Sequence, residues 1–248
     1  MKKEEQEEEE RITTGNKELD DMLGGGIVPH HMIVVAGPAG AGKTITAMQF
    51  IHANLQKGRK CMFISASDDE DAIVKNAMKF GWDLEPYKES GHFVPIKIKL
   101  VDVEHGVPVS DFLQMPKIIR GVRPEILVID SITEFDDLCD KEMERRGQLL
   151  HLREVIKEVG ATAVITAEVA PGGLSTKYGI AEYVSDGFIL QSRFLSEDYS
   201  QFLNVIQIIK MRWTRHSKET RAYNITGHGI DIYSPLYTIL ASTGKTKV

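Results

Sequence analysis

Cysteine is nearly absent from this 248-residue chain. Cys61 and Cys139 are too few for a disulfide framework and lack metal-ligand spacing, so both are expected to be reduced, structural thiols. No apolar run approaches the ~18 residues of a membrane-spanning helix. Met1-Lys2-Lys3 leads into glutamates, not the apolar core of a signal peptide. Positive charge is also in deficit: the net charge is −6, of which residues 1–10 carry −4. The nearly neutral remainder makes no global case for nucleic-acid binding. There is no internal repeat and no linker long enough to separate a pair of domains. What is present is ordinary, 42% apolar and 27% charged, which excludes collagen-like, rod-like and wholly disordered chains. A soluble, cytoplasmic protein with one folded domain is expected.

Residues 1–10, with two lysines and six glutamates, have no apolar face to bury and read as an acidic disordered tail. The domain is expected over 11–240 and a flexible tail over 241–248. Asn16 is placed to cap a short helix that Gly24-Gly25-Gly26 stops. His31–Ala36, Cys61–Ser65, Glu125–Asp130 and Ala161–Ala167 are short apolar runs of the buried-strand type. Helical patterns over Lys43–Gln56, Asp69–Phe80 and Lys141–Val159 alternate with them. Residues 81–110 look irregular, with a strand inside Phe93–Val101, and 168–180 look like an exposed loop. From Ser185 the pattern turns to strands: Gly187–Gln191, Phe202–Trp213, Arg221–Thr226 and Gly229–Tyr233. The predicted fold class is α/β, a mainly parallel sheet flanked by helices with antiparallel C-terminal strands.

Gly37-Pro38-Ala39-Gly40-Ala41-Gly42-Lys43-Thr44 satisfies G-x-x-x-x-G-K-[ST]. Small residues let successive backbone N–H groups turn inward around a phosphate, and the following helix aims its positive end there. Lys43 is the charge for the β- and γ-phosphates, and the Thr44 hydroxyl is placed to hold Mg²⁺. A buried strand before the motif and a helix after it supply the required context. Asp130 ends an apolar strand at its carboxyl end, where open α/β sheets bind ligands. It suits a second carboxylate for the Mg²⁺ and its waters; a cap or turn role shared with Ser131 is the competing reading. ATP and Mg²⁺ are the expected ligands.

Further segments extend the pattern. Ile12-Thr13-Thr14-Gly15, Leu19-Asp20 and Gly24-Gly25-Gly26-Ile27 resemble the entry to KaiC-family ATPases of the RecA superfamily. So do Asn76-Ala77, Phe80-Gly81-Trp82-Asp83-Leu84, Tyr178-Gly179-Ile180 and Glu182–Gly187. Lys210-Met211-Arg212-Trp213-Thr214-Arg215-His216, leading to Ile225 and Gly229-Ile230, is similar to the family's closing strands. The likeness covers roughly residues 11–233 and one KaiC-type domain. It implies a RecA-like core in a ring of six, with ATP at the subunit interfaces and an unidentified protein partner. It also implies that Lys210 and Arg212 reach a γ-phosphate bound by a neighbouring subunit. Thr214, His216 and the turn near Thr226 are expected near the sugar and base. Strand alternation from Lys210 would put Lys210, Arg212, Thr214, His216 and Lys218 on one face, and Met211 and Trp213 on the other. A solvated edge strand carrying lysines is the bland alternative.

The sequence departs from the family at one position of consequence. Two consecutive glutamates usually follow the second core strand, and one polarises the attacking water; here the pair is Ser67-Asp68. Asp68 has the charge but is one methylene shorter, and ~1 Å of misplacement can cost about a hundredfold in rate. Slow turnover is therefore expected, with Asp68 as the candidate water-orienting residue and Glu134 and Glu168 as substitutes. The acidic run at 68–71 also suits a helix N-terminus. A nucleotide-sensing scaffold without hydrolysis is the alternative function. A DNA-associated ATPase resembling the archaeal RadA paralogues is disfavoured by the acidic balance. Trp82 and Trp213 read as packing residues and Arg145-Arg146 as a solvated helix face. His30-His31 has no companions at zinc spacing.

Overall fold

The computed structural model describes residues 10–99, 101–102, 107–108, 111–137, 139, 141–170, 173–195 and 202–233. The two predicted tails, apart from Glu10, lie outside them. The chain runs through α1 (Lys17–Met22), β1 (Met32–Gly37), α2 (Lys43–Leu55), β2 (Cys61–Ser65), α3 (Glu70–Met78), α4 (Glu85–Glu89) and β3 (Phe93–Lys97). The two-residue strands β4 (Val101–Asp102) and β5 (Val107–Pro108) follow, then α5 (Asp111–Val122), β6 (Ile126–Asp130), α6 (Ile132–Asp136), α7 (Glu142–Val159) and β7 (Thr162–Glu168). The last elements are α8 (Ala181–Val184), β8 (Gly187–Leu195), β9 (Phe202–Met211), β10 (Thr220–Thr226) and β11 (Gly229–Ile232).

Nine strands form one sheet in the order β11-β10-β9-β8-β1-β7-β6-β2-β3. The six from β8 to β3 pair in parallel and β9, β10 and β11 extend them antiparallel. Every residue of β1 is buried because both faces of the sheet are covered. Ile33 and Val35 enter one apolar layer with Phe50 and Phe63; Met32, Val34 and Ala36 enter the other with Leu152 and Ile156. Truncating a member such as Phe63 to alanine should cost about 3–5 kcal/mol.

The local signals act as expected at several ends. The Asn16 side chain accepts from the Leu19 N–H at 3.0 Å, opening α1. Gly160 closes α7 in the left-handed conformation, φ 73°. Between β7 and α8 the described residues form no helix or strand, and Val169 bridges to Thr176 within that loop.

Four expectations need correction. The helix α5 is absent from the sequence pattern, because Pro116 inside it breaks the helical signal. The strand predicted to reach Trp213 stops at Met211, so alternation does not continue through Thr214, His216 and Lys218. The Arg212 N–H is bonded to the Asp186 carbonyl at 2.8 Å, after which the chain turns until Ser217 N–H donates to the Met22 carbonyl at 2.7 Å. Trp213 is not a packing residue: it is 95% exposed, whereas Trp82 is buried against Phe80 and His52. Arg145 is not simply solvated either, since its guanidinium lies 4.2 Å from the Tyr178 ring centre and donates to the Cys139 carbonyl.

Candidate nucleotide site

The register places the site. Gly37 at the end of β1 sits level with Glu168 at the end of β7, and Asp130 at the end of β6 sits level with Ser65 at the end of β2. Loop 37–44 therefore emerges at the carboxyl edge of the sheet, one strand away from Asp130. Its glycines are needed sterically. A Cβ on Gly37 would run into the Gln191 carbonyl oxygen. Gly42 adopts φ 89° as it opens α2, and a Cβ there would press on Ile225 and Ile230 of the β10–β11 hairpin at 3.0 and 3.1 Å.

Lys43 Nζ donates to the carbonyls of Gly37 at 2.9 Å and Pro38 at 3.1 Å. Burial lowers its pKa, opposed by the charges of Glu168 and Asp130. An ammonium partly stripped of water and resting on two neutral carbonyls is suited to a phosphate. Thr44 Oγ1 donates to Asp130 Oδ2 at 2.8 Å, and the Thr166 hydroxyl donates to the other oxygen of that carboxylate. Burial pushes the Asp130 carboxyl up, while Thr166, Thr44 and Lys43 pull it back. Ser131, not Asp130, holds the N-cap position of α6, without a side-chain capping bond, and both Asp130 carboxylate oxygens accept from Thr44 and Thr166. Among the described residues no cluster of three or more His, Cys, Asp or Glu could hold a metal ion. A magnesium ion fits here only as one held by Thr44, Asp130, waters and phosphate oxygens.

The acidic run after β2 divides by role. Asp69 caps α3, accepting from the Ala72 N–H at 2.8 Å. The Ser65 hydroxyl accepts from the Ser67 and Asp68 N–H groups at 3.3 and 2.9 Å, bending the chain so that Asp68 reaches the cleft beside Thr44. Its charge acts on both Asp130 and Glu134. Glu134 on α6 is half-buried; burial first, then Asp130 and Glu168, push its carboxyl up.

Of the remaining predicted site residues, Lys210, Arg212, Thr214 and His216 do not gather here. Met211 pairs with Gly187, which pairs with Ile33, so this end of β9 lies at the amino edge, about 13 Å along the strand from Gly37. There Lys210 Nζ donates to the carbonyls of Glu182 and Ser185, each at 2.6 Å. Arg212 donates to the Tyr183 carbonyl at 3.0 Å and approaches Asp186 at 3.6 Å. Burial first, then Arg212, lower the Lys210 pKa. Thr214 accepts from Arg11 at 3.0 Å, and His216 contacts the Ser217 carbonyl at 2.9 Å. Thr226 lies instead with its own phosphate loop: it sits in the β10–β11 turn, and the neighbouring Ile225 borders Gly42.

Sequence reasoning misses the residues that brace the loop. Arg193 Nη1 donates to the Ala39 carbonyl at 3.2 Å and its guanidinium covers the Phe202 ring. The buried Tyr223 hydroxyl donates to the Ala41 carbonyl. The signal for Arg193 is its strand, expected to end at Gln191 but reaching Leu195.

A strand, phosphate loop and helix on a mostly parallel sheet, with an aspartate closing a nearby strand, define a P-loop nucleotide-binding domain of RecA-like fold. Residues 12–237 match the family described as ATPase: KaiC. The chain belongs to that family. It is 29% identical over 212 residues, 81% of its length, to the circadian clock oscillator protein KaiC of Synechococcus elongatus, but spans only 40% of that protein. It is 27% identical to the UPF0273 protein PH0284 of Pyrococcus horikoshii, covering 82% of this chain and 85% of that one. In fold it is similar to the KaiC-like protein PH0186 of the same organism, with a TM-score of 0.77, 28% identity, and coverage of 90% and 99% of the two chains.

Proposed function

We propose that this protein is an ATP-binding, slowly hydrolysing KaiC-like ATPase. It assembles head to tail into a cytoplasmic ring of six, and its nucleotide state controls a protein partner. The observation that carries the reading is the separation of the two charged groups. Lys43, Thr44, Asp130 and Asp68 lie on the carboxyl edge, whereas Lys210 and Arg212 lie on the amino edge and bond carbonyls there. The fingers of one copy cannot reach that copy's own loop. Opposite edges that need each other make a heterologous contact, which yields a ring when the rotation from copy to copy closes.

In this reading the Lys43 ammonium exchanges the Gly37 and Pro38 carbonyls for the β- and γ-phosphates when ATP enters. Thr44 and Asp130 would hold a magnesium ion, which would supply neutralisation of phosphate charge. The neighbour's Lys210 and Arg212 meet the γ-phosphate. Asp68 orients the attacking water. Thr226 of the same copy and Thr214 and His216 of the neighbour border the sugar and base.

Phosphate release and light scattering, each with Mg-ATP, test the reading. ATP-dependent growth to a ring with slow phosphate release is expected. A chain that stays monomeric with ATP would overturn the assembly. Asp68→Glu, which restores the longer carboxylate, should speed release. The second reading, a nucleotide sensor without turnover, is favoured by Ser67-Asp68 standing where the family pattern has two glutamates; it predicts binding without any phosphate over hours. Single-stranded DNA should leave the rate unchanged.

A further inference from the structure

We infer that Arg193 is a sensor of the terminal phosphate: its guanidinium leaves the Ala39 carbonyl and the Phe202 ring for the γ-phosphate, and so makes this chain prefer ATP over ADP. The inference rests on the ATP-binding reading above and adds to it a residue of the same copy. It concerns the affinity of one chain, whereas Lys210 and Arg212 act between copies. Arg193 lies near the carboxyl end of β8, and its Nη1 donates to the Ala39 carbonyl at 3.2 Å. The guanidinium rests on the crown of the loop, since a Cβ on Gly40 would come within 2.6 Å of Nη1. The two carbonyls before Ala39, those of Gly37 and Pro38, are the ones that Lys43 holds. Two cations thus share three consecutive carbonyls, and in this motif the lysine serves the β- and γ-phosphates. Arg193 therefore stands at the end of the triphosphate where ATP and ADP differ.

What Arg193 holds in this structure is weak for a guanidinium. The Ala39 carbonyl is a neutral acceptor at the long limit of an N–H···O bond. The Phe202 ring, 4.3 Å from Cζ, is 56% exposed, and water weakens a cation–π contact at such a place. The Arg193 Nε is buried and has no hydrogen-bond partner among the described residues. Nor does a carboxylate among those residues form an ion pair with it. Arg153 is the contrast, paired with Asp186 at 2.6 Å. A guanidinium carries five donors in a planar fork that matches phosphate oxygens. Exchanging one neutral acceptor for a phosphate oxygen gains a shorter, charge-assisted bond. The exchange leaves the loop supported, because the Tyr223 hydroxyl still donates to the Ala41 carbonyl. It is the same exchange that Lys43 makes beside it.

The test measures the affinity of the full chain for Mg-ATP and for Mg-ADP by calorimetry, on protein dilute enough that no neighbour contributes. Arg193→Gln should weaken ATP binding by about ten- to a hundredfold, the worth of a hydrogen bond to a charged group. The same variant should weaken ADP binding about twofold or less, the worth of a long bond to a neutral carbonyl. Arg193→Lys, which keeps the charge and loses the fork, should recover part of the ATP preference. Phe202→Leu removes the ring that holds the guanidinium back, so it should move the ratio the other way and raise the preference for ATP a few-fold. With Arg193→Gln already present, Phe202→Leu should change nothing more. ADP binding by each variant shows at the same time that its loop is folded. Equal weakening of ATP and ADP by Arg193→Gln would make Arg193 a loop brace and overturn the inference, and so would an unchanged ATP affinity. In both cases the wild type still binds ATP, so the reading of the site survives and only the sensor falls. If the wild type binds neither nucleotide, both fall together.

Discussion

The two edges of the sheet are built on different principles. At the carboxyl edge the polar groups are held ready by the chain itself: Lys43 rests on Gly37 and Pro38, Thr44 on Asp130, and Tyr223 and Arg193 brace the loop. Carboxylates dominate there, and burial pushes Asp130, Glu134 and Asp136 up. At the amino edge cations dominate, and the buried Asp186 is compensated. Burial would raise its carboxyl, but the Arg153 hydrogen bond, at 2.6 Å, and the Met32 N–H hold it below the ordinary value. One edge is a phosphate cradle with acidic surroundings and the other a cationic rim. If turnover proceeds as proposed above, the two edges contribute complementary groups, and the pairing of edges, more than the cradle, should control the rate.

The largest effect should come from the cradle. Lys43→Ala should weaken ATP binding by about a hundredfold or more, through loss of charge-assisted bonds to the phosphates, as read by calorimetry on dilute protein. Arg212→Ala should behave differently. It should leave ATP affinity of the dilute chain unchanged and lower phosphate release by about 10³-fold at assembling concentrations. If Arg212→Ala instead weakens binding in the dilute chain, the edges are not separate and the comparison breaks. Asp68→Asn should fall between the two in kind, with binding kept and release reduced about a hundredfold. An unchanged rate would move the water-orienting role to Glu134 or Glu168.

The carboxyl edge is legible from sequence because its chemistry is local. Eight consecutive residues, 37–44, encode both the turn and the ligands, and Asp130 closes an unbroken apolar run. The amino edge is harder. Resemblance singles out Lys210 and Arg212, but where β9 stops depends on the Asp186 carbonyl, which is distant in sequence. Strand periodicity carries no information about that partner, so alternation runs on past Met211 and puts Trp213 on a strand face that does not exist. Arg193 escapes for a related reason: the burial of β8 fades toward its end, and an apolar-run criterion truncates such a strand. Pro116 hides α5 similarly. Local chemistry reads through; tertiary partners do not.

The smallest effect separates the edges by pH. Asp136 and Asp137 are adjacent at the end of α6, yet their surroundings differ. Burial pushes the Asp136 carboxyl up to about 7, with Arg145 opposing. Burial acts on Asp137 too, but Lys177, at 2.7 Å, and Tyr178 win, and its carboxyl lies below the ordinary value. For Asp136 the folded chain binds a proton more tightly than the unfolded chain, so stability falls as pH rises from about 4 to about 7. Asp136→Asn removes that titration while keeping the shape. It should leave stability unchanged at pH 4 and raise it by roughly 1–3 kcal/mol at pH 8, measured as the shift in urea midpoint. Because the gain belongs to the uncompensated edge, Asp186→Asn, which strips a partner from Arg153, should do the reverse and destabilise at pH 8. Equal gains for Asp136→Asn at both pH values would show that its carboxyl is not held high, and that the carboxyl edge is less charged with uncompensated acids than its geometry indicates.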